Sequence, residues 1–243
     1  MEQVYFNFQG SAILSVLAFL GTVFTLLAAG AALVFLLVTR RRRSARWVLR
    51  GALSTVLLYG VVLIAFSLGS REQMLAPQEE KYFCEIDCHL AYSVEEVLRR
   101  PTLGDPPQQS SARGIYYVVG MKVRFDRETT SPDGGGAPLR PNPRSVAVVD
   151  ATGRRYAPSH EGERALALTA SGIGVPLTRP LRPGESYRSV LVFDLPPDIR
   201  DPRLLITEAG WETRLLIGHE NSFLHRKTSF LLEPVVAHSA LTP

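Results

Sequence analysis

Residues 114–126, GIYYVVGMKVRFD, form the strongest strand signal in the chain. Valine, tyrosine and phenylalanine fit a pleated, half-buried surface, so the run predicts a β-strand. Upstream, His89–Leu98 alternates with Leu90, Tyr92 and Val94 on one face, which predicts a first strand. The proline-rich stretch Pro101–Arg113 separates the two as a loop. Downstream, Thr129–Arg144 is a Gly- and Pro-dense loop. Ser145–Asp150 and Arg154–Ala157 then predict a hairpin across Ala151-Thr-Gly153. Arg188–Leu195 follows the turn Arg182-Pro-Gly-Glu185, and Arg203–Thr207, Glu212–Ile217 and Thr228–Glu233 complete the strands. Short strands at this spacing, with no amphipathic helix between them, predict an antiparallel β-sandwich of immunoglobulin or cupredoxin type over residues 82–234. Residues 235–243 form a tail, and residues 71–81 a polar linker.

The N-terminal quarter obeys other rules. Ser11–Thr39 is 29 residues without a charge, and Gly51–Ser70 is a second uncharged run of 20. About 20 apolar residues span a bilayer, so residues 11–70 predict a transmembrane helical hairpin. A cleaved signal peptide would have a basic start and a far shorter apolar core. Here Glu2 is the only charge before Arg40. Neither run holds an Asp, Glu, Lys, Arg or His, which argues against an ion path through this pair alone.

Charge distribution orients the hairpin. The net charge of +4 would suggest nucleic-acid binding if it were spread over the chain. Arg40, Arg41, Arg42, Arg43, Arg46 and Arg50 instead crowd the 40–50 connection, and no acid accompanies them. The basicity is a topology signal that places this connection in the cytoplasm. Residues 1–10 and everything after Ser70 then lie outside it, in a two-pass cell-membrane protein with both termini extracytoplasmic. Expected partners are the lipid bilayer and a membrane-embedded protein, not nucleic acid. Gly21, Gly30 and Gly60 permit close helix packing but also suit any membrane helix.

The two cysteines, Cys84 and Cys88, lie in Tyr82-Phe-Cys-Glu-Ile-Asp-Cys-His-Leu90, with His89 directly after. In an oxidising compartment their simplest fate is a disulfide. Residues four apart in an extended strand are about 13 Å apart, whereas a disulfide needs Cα atoms within about 4.4–6.8 Å. The pair must therefore occupy a turn. The other reading is a metal site. If the strand after His89 pairs parallel with the last strand, Cys84, Cys88 and His89 meet His219, Glu220 and His225, which precede that last strand. Thiolate plus imidazole suits copper or zinc. A haem attachment motif would have one residue fewer between the cysteines.

The order of elements resembles a small immunoglobulin-like domain of unknown function found on bacterial membrane-anchored proteins and lipoproteins. The resemblance covers about residues 88–233. It rests on "VVDATGRRY" (148–156) and "LRPGESYRSVLVFDLP" (181–196), and it implies a non-enzymatic domain. The layout of two helices followed by an extracytoplasmic β-sandwich is similar to that of cytochrome c oxidase subunit II. That family binds a dinuclear copper centre through a Cys-x3-Cys pair, a spacing that Cys84 and Cys88 match. It carries a Glu where this chain has Ile86, and a His and a Met where it has Tyr92 and Glu95. The leading expectation, which rests on the placement of these residues, is a copper-handling or electron-transfer subunit using Cys84, Cys88, His89, His219 and His225. The alternative expectation is a structural or protein-interaction subunit stapled by a Cys84–Cys88 disulfide, with no cofactor. No catalytic residue is expected on either reading: no phosphate-binding glycine loop, nucleophile elbow or helical His-Glu-x-x-His motif occurs in the chain.

Overall fold

The computed structural model describes residues 9–83, 90–127, 137–168 and 175–233. Two long helices open the chain, α1 (Gln9–Val38) and α2 (Arg42–Leu68). Both are long and apolar enough to cross a membrane, with 18-residue stretches of mean hydropathy 2.3 in Leu14–Val38 and 2.1 in Arg42–Leu68. Three of their threonine hydroxyls are satisfied within the helix. Thr22, Thr25 and Thr55 each donate to the carbonyl four residues back, at 2.8, 2.8 and 3.0 Å, as a low-dielectric surrounding demands. The turn between the helices is tighter than the charge pattern suggests. It takes only Thr39, Arg40 and Arg41, with Arg40 in the left-handed region at φ 57°. Arg42, Arg43, Arg46 and Arg50 therefore belong to the first turns of α2, not to a loop. Long arginine stems let such turns run along an apolar surface while their heads stay in water. A methyl group added at Gly21, Gly30 or Gly60 would meet nothing within 4 Å, so these glycines are not what packs α1 on α2.

The chain folds into two compact units: Met1–Glu72 with Gly210–Lys227, and Gln73–Ala209 with Thr228–Pro243. The second unit is a β-sandwich. Its strands are β1 (Gln73–Leu75), β2 (Lys81–Phe83), β3 (Leu90–Leu103), β4 (Ser110–Phe125), β5 (Arg144–Val149), β6 (Arg155–Tyr156), β7 (Ser186–Leu195), β8 (Arg203–Glu208) and β9 (Thr228–Leu231). One sheet has the order β1-β9-β8-β5-β6 and the other β2-β3-β4-β7, and neither closes into a barrel. All pairings are antiparallel except β1 with β9, where Gln73 faces Thr228 and Leu75 faces Phe230. One apolar core joins the sheets, with Tyr92, Tyr117 and Phe193 from one and Ile206, Leu204 and Phe230 from the other.

The run around Tyr116 is apolar on both faces, and the structure supplies the reason. Tyr117 and Val119 face the sandwich core, while Tyr116 and Val118 pack with Val192 under a short helix, α3 (His160–Ala167). No amphipathic helix was expected there. Its signal is brief: Ser159 caps it by accepting from the Gly162 amide at 3.2 Å, and only eight residues follow. Gly162 lets the helix lie close to the sheet. A methyl group there would come within 2.6 Å of Val192 Cγ1 and 3.0 Å of Tyr116 Cε1.

Other expectations shift as well. The polar stretch read as a linker contains β1. The strand expected to end at Leu98 continues to Leu103, with Pro101 absorbed at a register shift between Arg100 and Thr102, where a missing ladder donor is tolerated. Glu212–Ile217 is not a strand: Glu212–Leu215 is a 3-10 turn in the same unit as the helical hairpin.

Candidate functional site

Two polar clusters were singled out by sequence, and the structure treats them differently. Cys84, Cys88 and His89 lie outside the described residues. Their flanks do not. Phe83 and Leu90 are directly opposed Cα partners in the β2–β3 ladder, and both are buried. The ends of the intervening chain are thus held one strand spacing apart.

The parallel partnership invoked for the metal site is formed by a different strand. The last strand, β9, pairs in parallel with β1, whereas the strand that begins at Leu90 lies in the other sheet between β2 and β4. The topological reason for bringing the cysteines to the histidines is thereby removed. It failed because β1 is only three residues long and hides in a stretch dominated by Glu, Gln and Pro.

A charged cluster that the sequence did not disclose lies close to Phe83. Lys81 is buried, and its ammonium donates to the carbonyls of Ile206 and Thr228 at 2.8 and 3.0 Å. The Arg144 guanidinium is fully enclosed, with its carbon 4.1 Å from the Phe83 ring centre. Its Nη1 is 3.4 Å from Glu208 Oε1, and its Nε donates to the Tyr92 hydroxyl at 3.3 Å. Nearer the surface, Arg124 grips Glu80 with two hydrogen bonds, of 2.9 and 2.7 Å. That pairing holds the Glu80 carboxyl below its usual range. Burial, helped by a hydrogen bond to Glu80, pushes the Tyr82 phenol up to about 12. These partners pair one another. They hold strands together and present no cleft to a substrate.

The histidine cluster belongs to Gly210–Lys227, which folds in one unit with the helical hairpin. Tyr59 of α2 donates its hydroxyl to the Leu215 carbonyl at 2.6 Å, and the Arg226 amide donates to Ser70 Oγ at 2.8 Å. His219 Nδ1 accepts from the Asn221 amide at 3.0 Å, which fixes the neutral ring with its proton on Nε2. As folded, that ring offers no lone pair on Nε2 to a metal. His225 is the opposite case. Its Nδ1 lies 2.6 Å from the Arg226 carbonyl, so Nδ1 carries the proton and Nε2 keeps the lone pair. Burial lowers the His225 pKa, which favours the neutral ring. Of the two histidines, His225 alone has the tautomer a ligand needs. Among the described residues, no group of three or more His, Cys, Asp or Glu side chains is placed to hold a metal ion.

The remaining features are open ones. A shallow groove of about 480 Å³ lies between α3 and β7, lined largely by aliphatic side chains such as Val175, Leu177 and Leu191. His160 on its rim is fully solvated and pairs with Glu163 at 3.5 Å. Glu95 pairs with Arg188 at 2.8 Å. Trp211 is 70% exposed.

No protein-family model matches the chain. No curated protein matches it either. Among solved structures it is similar to a conserved hypothetical protein from Bacillus anthracis, with 16% identity and a TM-score of 0.38 over 54% of this chain and 87% of that one. It is also similar to a secreted protein from Mycobacterium tuberculosis, with 13% identity and a TM-score of 0.38 over 57% of this chain and 92% of that one. At that score neither likeness carries an argument about function.

Proposed function

We propose that this protein is a two-pass membrane subunit whose extracytoplasmic β-sandwich acts by binding a membrane-embedded protein partner, not by catalysis. One observation carries the reading. The hairpin is more than a tether, because Gly210–Lys227, drawn from between β8 and β9, is hydrogen-bonded to Tyr59 of α2 and to Ser70 just beyond it. A chain that only needed an anchor would have no use for such docking. The arginine-rich start of α2 supports a cytoplasmic turn, and the even number of crossings then puts the sandwich outside. Strand order supports an immunoglobulin-like type, since β9, β8 and β5 adjoin in one sheet while β3, β4 and β7 adjoin in the other. The opposed flanks Phe83 and Leu90 support a turn that brings Cys84 and Cys88 within disulfide reach.

The second reading is a copper site for electron transfer or copper handling, built from Cys84, Cys88, His89 and His225. The His225 tautomer favours it. His219 would enter such a site only after giving up its hydrogen bond from Asn221.

A reporter fused after Pro243 tests the orientation, and activity of a cytoplasmic reporter there sinks both readings. Copper analysis with a thiol count then separates them. The binding subunit gives no stoichiometric copper and no free thiol before reduction. One or two copper ions per chain, lost together with Cys88→Ser, would establish the second reading instead.

A further inference from the structure

We infer that Gly210–Lys227 is a bilayer-contacting element, seated in the outer leaflet beside α2 with Trp211, Phe223 and Leu224 against lipid. The inference rests on the reading of α1 and α2 as spanning helices. Three independent observations lead to it.

The first is depth. Trp47, 65% exposed near the start of α2, suits one membrane interface. A hydrocarbon core of about 30 Å then ends roughly 20 residues further along, near Ser67. Tyr59 lies about 12 Å short of that level at 1.5 Å per residue. The Tyr59 hydroxyl bonds the Leu215 carbonyl, so the segment descends alongside the helix and does not stop at its end. Gly218 follows the same course, with the Phe66 ring about 4.0 Å from where its Cβ would stand.

The second is backbone bookkeeping. Non-helical chain survives at membrane depth only where its polar groups are satisfied without water. Here a succession of tight turns satisfies several of them. The amides of Arg214, Leu216, His219, Ser222 and His225 donate to the carbonyls of Trp211, Thr213, Leu216, His219 and Ser222. Side chains meet further backbone groups: Thr213 donates to Gly210, Ser222 to Leu216 and Lys227 to Glu220.

The third is the outward face. Outside α1 and α2, six large apolar side chains are prominently exposed among the described residues: Met74, Leu98, Leu168, Trp211, Phe223 and Leu224. Three of the six fall in these 18 residues, and Leu224 is turned outward by a left-handed backbone at φ 63°. Arg226, exposed and joined through its amide to Ser70, suits lipid phosphates at the rim.

The two tryptophans make the test self-controlled. The full chain is reconstituted in phosphatidylcholine–phosphatidylglycerol vesicles with plain or brominated acyl chains, as Trp47→Phe (reporting Trp211) and as Trp211→Phe (reporting Trp47). Brominated lipid is expected to quench both reporters. Quenching of Trp47 without Trp211 overturns the inference and leaves the spanning hairpin intact. Quenching of neither removes the spanning reading and this inference with it. A Trp211 shielded from an aqueous quencher yet untouched by brominated lipid means that a protein surface covers the segment, which also overturns the inference.

Discussion

Arg144 Nη1 lies 3.4 Å from Glu208 Oε1, and both side chains are buried, at 0% and 10% exposure. The pair bridges β5 and β8 at the register position where Arg144 faces Glu208. Removing one partner of a buried pair strands the other charge, so Arg144→Ala is expected to cost about 3–5 kcal/mol. Arg144→Met keeps apolar volume against Phe83 and should cost less than Arg144→Ala. Denaturation midpoints of the detergent-solubilised protein check the order, and equal midpoints for the two variants would mean that the apolar volume against Phe83 contributes nothing.

Gly162→Ala sets two effects against each other. Helix propensity alone would favour alanine by up to about 1 kcal/mol. The new methyl group meets Val192, a stiff β-branched side chain that is fully buried. Overpacking of that kind costs about 1–3 kcal/mol. Packing wins, and the variant should melt at a lower temperature than the parent. A rise in melting temperature would show that α3 stands further from the sheet.

Acid should loosen the sandwich through two carboxylates. Asp150 accepts from the Thr152 hydroxyl and amide, the Arg154 amide and the Tyr156 hydroxyl, at 2.7–3.1 Å, and these bonds lower its pKa. Glu80 is lowered by Arg124. A carboxylate whose folded pKa lies below its unfolded value, about 4, contributes stability above that value. The contribution is lost as pH falls through the folded pKa. Melting temperature should therefore drop on going from pH 5 toward pH 2. Asp150→Asn and Glu80→Gln should each flatten that drop, and an unchanged acid limb in both variants would refute the assignment.

Tyr59→Phe deletes the hydroxyl that holds the Leu215 carbonyl. The loss is about 1 kcal/mol, a factor of about five in local opening. Hydrogen exchange at residues 213–219 should speed up by that factor while β4 and β7 stay protected. Uniform protection across the segment would place its docking elsewhere.

Cys88→Ser separates the cysteine readings by stability. A short-loop disulfide is worth about 1–2 kcal/mol, and reductant alone should mimic the variant. If reductant leaves the parent's melting temperature unchanged while Cys88→Ser lowers it, the cysteines are not cross-linked.

What the sequence disclosed, it disclosed through strong local pattern. Gly114–Asp126 and Arg188–Leu195 became β4 and β7, and the hairpin around Asp150 became β5 and β6. The charge-free runs became α1 and α2. Short elements escaped because their order comes from partners distant in sequence. Gln73–Leu75 is a strand only because Thr228–Phe230 lies beside it. Trp211-Glu-Thr-Arg-Leu-Leu-Ile217 alternates enough to suggest a strand, yet its stabilising contact is with a helix some 150 residues earlier. The candidate site was the least legible part, since a metal cluster requires non-local convergence and periodicity carries no information about that.

The parallel pair β1–β9 has a mechanical consequence. Both strands begin where the chain leaves the helical unit, at Gln73 and at Thr228, and these two residues are register partners. Just ahead of them, Ser70 and Arg226 are joined by a hydrogen bond. The chain passes between the two units three times, at Glu72–Gln73, Ala209–Gly210 and Lys227–Thr228, and the strands next to these crossings, β1, β8 and β9, are neighbours in one sheet. A force between the units is therefore divided over three chain crossings that enter one sheet side by side, and no single crossing carries it alone.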